Sequence, residues 1–153
     1  MISALLRGAA AGAAGTTALN AATFVDMAVR ARPSSSTPQQ TVETLAERAG
    51  YPVPGEGDER QNRLTGLGSL GGIATGIAIG SVAGFLGPIT RRLPLGVASV
   101  LLGGAAMALT DGSMKRLGIT DPTSWSAEDW ASDALPHLAY GVATAATLRS
   151  MTP

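Results

Sequence analysis

The chain has 153 residues, 45% of them hydrophobic and 14% charged, with 11 basic and 11 acidic side chains and no cysteine. The charged share lies well below the roughly 25% of soluble domains, the mean hydropathy is positive at +0.22, and the lack of cysteine removes disulfides, thiolate metal sites and cysteine nucleophiles together. A net charge of zero supplies no field that would gather nucleic acid, so no nucleic-acid partner is expected.

These bounds predict an all-α transmembrane helical bundle. It is read as a single membrane domain over 1–153, with about four spans at 5–29, 65–89, 94–111 and 130–149. Polar connections fall at 31–63 and 112–126. The first segment carries no charge from Gly8 to Val25, close to the roughly twenty residues a span needs. It is rich in Ala, Gly and Thr, and Asn20 suits a hydrogen bond across helices. A cleaved signal peptide is the rival reading, and the missing leucine-rich centre argues against it.

The first connection holds a short amphipathic helix. Thr37 is the expected N-cap, Pro38 the first helical residue and Gln40 the partner in a capping box. Val42, Leu45, Ala46 and Ala49 share one face, and Gly50 and Pro52 stop the helix. It is expected either to lie on the membrane surface or to cap the end of the bundle. The stretch from Val53 to Arg60 reads as a mobile acidic loop.

From Leu64 to Thr90 there is no charged residue, which makes this the clearest span. Gly68, Gly72, Gly76, Gly80 and Gly84 recur every four residues along it. Residues at this spacing share a helix face, so the repeat leaves a groove without side chains where another backbone can approach. Gly8 and Gly12 repeat the motif in the first segment. Gly96, Val100, Gly104 and Ala108 do so less well in the third, and Gly141 and Ala145 in the fourth. The glycine face is expected inside one chain or between subunits.

A tight turn at Arg91-Arg92 and Pro94 sends the third segment back antiparallel, ending at Asp111-Gly112. Ser126 is the expected N-cap of the fourth, with Glu128 and Asp129 in its first turn. Trp125 and Trp130 suit a membrane–water interface, and Pro136 is expected to kink the helix. Gly8, Gly15 and Ala18 fall on Gly96, Gly103 and Ala106 at a constant offset, which suggests a duplicated helical hairpin arranged as a parallel repeat.

No catalytic, cofactor-binding or metal signature stands out. The lone histidine, His137, shares a helix face with Asp133, and Tyr140 follows three residues on. With Asp26 and Asp111, these form the candidate polar site, since ionisable groups in a span default to function. The bland readings are solvated helix ends and headgroup-level side chains. Raw counts of basic residues place the long connections in the cytoplasm. The Arg91-Arg92 turn and the acid-rich connections favour the opposite, with both termini cytoplasmic, which is the orientation preferred.

Arg7-Gly8 opening an Ala/Gly helix, the helix from Thr37 to Gly50, and Pro136-His137-Leu138-Ala139-Tyr140-Gly141 opening the last helix carry a resemblance. The chain resembles the small, functionally uncharacterised polytopic membrane proteins of high-GC bacteria. The resemblance implies the topology and no activity. The expectation is therefore a non-enzymatic, multi-pass protein of the inner (cytoplasmic) membrane without cofactor. It would be an accessory or scaffold subunit in contact with lipids, forming a homo-oligomer or joining a larger membrane complex. A small oligomeric channel or transporter is the alternative, and a lipid-directed enzyme the least favoured.

Overall fold

A computed structural model describes residues 1–90 and 92–151, the Pro88 side chain excepted. The described residues form helices and no strand: α1 (Ile2–Arg30), α2 (Thr37–Arg48), α3 (Gly57–Phe85), the single turn α4 (Gly87–Thr90), α5 (Leu95–Leu117) and α6 (Ala127–Ser150). A 3-10 turn at Pro122–Ser124 separates the last two. At about 1.5 Å per residue, the 29-residue α3 is some 43 Å long. Among the described residues, two helices, α3 and α5, are long and apolar enough to cross a bilayer.

The helix ends follow local chemistry and correct several expectations. Ser36, not Thr37, precedes α2, and it makes no side-chain cap; instead the Gln40 amide donates to the Ser36 hydroxyl at 2.9 Å. The expected acidic loop is helical from Gly57 onward. Asp58 and Glu59 sit in the first turn, where the helix dipole favours acids, and Glu59 pairs with Arg63 one turn on. α5 continues past Asp111 and Gly112 to Leu117. Lys115 and Arg116 favour its last turn, and Gly118 closes it at φ 78, a left-handed conformation that glycine adopts without strain. Ser126 caps α6 in a full capping box with Asp129. Of the expected Arg91-Arg92 turn, Arg91 lies outside the described residues.

The core order is α3–α1–α6–α5. An added Cβ at Gly8 would lie 2.8 Å from Ser81 Cα, one at Gly12 3.0 Å from Gly80 Cα, and one at Gly84 2.6 Å from Gly8 Cα. The backbones of α1 and α3 therefore touch, antiparallel. On α1, Gly15 faces the Tyr140 ring and the Thr144 hydroxyl of α6. At the α5–α6 contact, a Cβ at Gly141 would lie 2.7 Å from Gly103 N.

One expectation of register holds and another fails. α5 runs back antiparallel to α3, as expected, but it packs on α6, and its buried face is Ala98, Ser99, Leu102, Gly103 and Ala106. Gly96 and Gly104 point into open space, as does Gly72 on α3. Gly68 meets Pro38 of α2 rather than a long helix. The supposed repeat is therefore unequal, since Gly8 is a contact and Gly96 is not.

These contrasts predict opposite outcomes for one substitution type. Gly80→Ala drives a methyl group into the α1 backbone and should cost about 1–3 kcal/mol, the usual scale of overpacking. Gly104→Ala meets nothing and should leave stability unchanged or raised. Thermal unfolding of the two variants followed by circular dichroism separates them, and equal melting shifts would contradict the register.

Candidate functional site

The residues singled out in the sequence divide among three places along α6. The first is an ion-paired corner where the end of α1 meets the start of α6. Arg30 grips Asp26 with two bonds of 2.6 Å and extends to Glu128 and Ser132 of α6. Arg32 adds a further bond to the Asp26 carboxylate. Arginine's planar fork suits such two-point binding of a carboxylate. Asp26 is thus a strut in an ion-paired network that joins α1 to α6. Sequence reading missed Arg30 and Arg32, although the i, i+4 spacing of Asp26 and Arg30 was visible.

Tyr140 marks the second place. It is 1% exposed, and its ring lies against Gly15 of α1 and Gly76 of α3. Its hydroxyl crosses from α6 to α3 and donates to the Gly76 carbonyl at 2.7 Å. Thr16 of α1 and Thr144 of α6 are buried beside it, and the Thr16 hydroxyl donates to the Gly12 carbonyl. A phenol buried this deeply needs an acceptor, and the bare α3 backbone at Gly76 supplies one. Tyr140 is a packing anchor between three helices.

The third place brings Asp111 of α5 together with Asp133 and His137 of α6. The His137 Nδ1 lies 2.9 Å from the Asp133 carbonyl and 3.4 Å from its carboxylate. Since a carbonyl only accepts, Nδ1 carries the proton. The Nε2 faces the Thr110 hydroxyl at 3.5 Å. Asp111 follows Thr110 on α5 and lies near enough to Asp133 and His137 to interact electrostatically with both. The Asp133 Oδ2 is buried and accepts no hydrogen bond. Gly103, which lets the His137 backbone come close, makes the juxtaposition geometrically possible. Pro136 is buried inside α6 and removes one helical hydrogen bond next to it.

The connection after α5 forms a separate polar knot. Asp121 accepts from Lys115 at 2.8 Å and from the Thr123 backbone and hydroxyl. These donors, Lys115 foremost, hold its carboxyl down at about 2. The Ser126 hydroxyl and backbone N–H similarly hold Asp129 below its ordinary range. Trp125 donates to Thr120 at 2.9 Å and meets Trp130 edge-to-face, with ring centroids 5.2 Å apart. Among the described residues, no group of three His, Asp or Glu side chains is arranged to hold a metal ion. No family model matches the chain, and no match was found among curated proteins or solved structures.

Two measurements follow from these geometries. Tyr140→Phe leaves the ring in place and deletes the bond to Gly76, so it should destabilise the protein by about 0.5–1.5 kcal/mol. An unchanged melting temperature would contradict the anchor. Asp121 has a lowered pKa, so the stability it gives the knot is complete above 3.8 and is lost as pH falls toward about 2. Tryptophan emission should therefore change over that interval, and the step should vanish in Asp121→Asn.

Proposed function

We propose that the chain is a multi-pass membrane protein of about four spans, packed through glycine and alanine, that serves as a non-enzymatic accessory or scaffold subunit. One observation carries the reading. In the most apolar stretches of α3 and α5, only 22% and 28% of the residues are buried inside the protein. Leu70, Val100 and Leu109 are each more than 60% exposed. The core helix of a soluble protein buries such a stretch, whereas a helix in lipid leaves it facing acyl chains.

The glycine faces support the division of labour in this reading. Gly8 and Gly12 are used up against Gly80 and Gly84 within the chain. Gly72 on α3 and Gly96 and Gly104 on α5 remain open, so the outward sides of these two helices are the surfaces for a second copy or a partner. The inner bacterial membrane is the proposed location. The channel alternative has less support, because Asp26 is ion-paired and Tyr140 is sealed in the core.

Two experiments test the proposal. The expressed protein should sediment with membranes and resist alkaline carbonate extraction; recovery in the soluble fraction would overturn the membrane reading. In mild detergent it should run as an oligomer or with a partner, and Gly104→Leu should dissociate the assembly while keeping the helical signal. A lone monomer, unchanged by that substitution, would overturn the scaffold role.

A further inference from the structure

We propose that Asp111, Asp133 and His137 form a proton-binding site that sets the spacing between the adjoining ends of α5 and α6. The case begins with an imbalance. Two carboxyl groups and one imidazole meet where two helices pack, and the imidazole is only 13% exposed. With both carboxylates ionised and the ring neutral, like charges face each other across the helix interface. Such a pair cannot keep both charges at close range without a counter-charge or a shared proton. Among the described residues, no Lys or Arg makes an ion pair with either of the two carboxylates.

Charged groups on the adjoining elements are already engaged. From α1, Arg30 approaches α6 but is bound to Asp26, Glu128 and Ser132, on the side facing away from α5. From the connection after α5, Lys115 is held by Asp121. From α2, Arg48 donates to the Leu117 carbonyl. On α6 itself, Asp129 is occupied with the Ser126 cap. The group that faces Asp133 from α5 is therefore Asp111, and the cation available to the pair is a protonated His137.

Hydrogen-bond accounting leads to the same conclusion. The Asp133 Oδ2 is buried without a donor, which is costly for an ionised oxygen. A proton held between the Asp111 and Asp133 carboxyls would relieve that cost. A second proton, on the His137 Nε2, would turn the imidazole into a cation beside both carboxylates. That nitrogen faces the Thr110 hydroxyl, whose oxygen can accept because its own proton is directed at the Ala106 or Met107 carbonyl. Loss of these protons leaves repulsion at the end of a helix pair that is anchored further along by Gly103 and Gly141. The ends then separate about that anchor. The proposal does not rest on the membrane reading, because the same groups meet in any solvent.

The test uses the chain's own composition. Without native cysteine, Ser113→Cys and Ala131→Cys place one spin label on each helix near the site. The full chain is measured in lipid nanodiscs, or in buffer if it proves soluble. Between about pH 5 and pH 8, the interval over which an unperturbed histidine changes charge, the label separation should shift to longer distances. Asp111→Asn removes the repulsion and should hold the short distance at both ends of the range. The single imidazole signal of His137 in nitrogen NMR should titrate over the same interval as the distance. A separation that does not change with pH would overturn the proposal. So would a pH response retained in Asp111→Asn, or an imidazole titration unrelated to the distance change.

Discussion

The close approach of bare backbone to bare backbone governs the rest of this architecture. Where α1 crosses α3, glycines on both helices bring main chain against main chain, and there is no room for a methyl group on either side. Packing of this kind gains its energy from many short van der Waals contacts and gains little from the burial of large side chains. The buried apolar set is correspondingly poor: alanines, a few leucines, Val53 and one tyrosine. In the proposed bilayer setting this is sufficient, since the large aliphatic side chains have a solvent outside the fold.

Polar groups complete the assembly where the glycines stop. Tyr140 ties α6 to α3 across α1, and Arg30 ties the far end of α1 to the start of α6. At the opposite end Arg149 donates to the Leu93 carbonyl, fastening the close of α6 to the start of α5. α2 is held by its charged side through Arg60 with Glu43 and Glu47, which leaves Leu45 half exposed. Each tie lies at a helix end or reaches a carbonyl, so none interrupts the small-residue contact faces.

Much of the fold could be read from the chain. Charge-free runs mark the long helices, and Ser126 with Asp129 marks the start of α6, because these signals are local. The N-terminal extension of α3 was missed because Gly55, Gly57 and the acids resemble loop composition, while the first-turn dipole and the Glu59–Arg63 pair act only once the helix exists. Partner choice was least legible. A four-residue glycine period says that a face is bare without saying what fills it, so Gly72 and Gly76 look alike in sequence and differ completely in space. The candidate site shows the same limit. Asp133 and His137 were found from their shared face, but Asp111 joins them only through the α5–α6 contact. Tyr140 lies three residues beyond His137 and still points toward other helices.

The order α3–α1–α6–α5 has a consequence for synthesis. α1 leaves the ribosome before the other five helices, yet one of its two main neighbours, α6, emerges after all of them. Until then the Gly15 and Thr16 side of α1 lacks Tyr140 and Thr144, and Arg30 lacks Glu128 and Ser132. Long-range closure of this type is slow to form, and partly assembled chains expose contact faces that other proteins can occupy. The α1–α3 pair can form before α6 is made, whereas the centre of the bundle closes only when α6 arrives. A chain interrupted before α6 thus keeps a complete glycine seam beside a polar face that still lacks its partners.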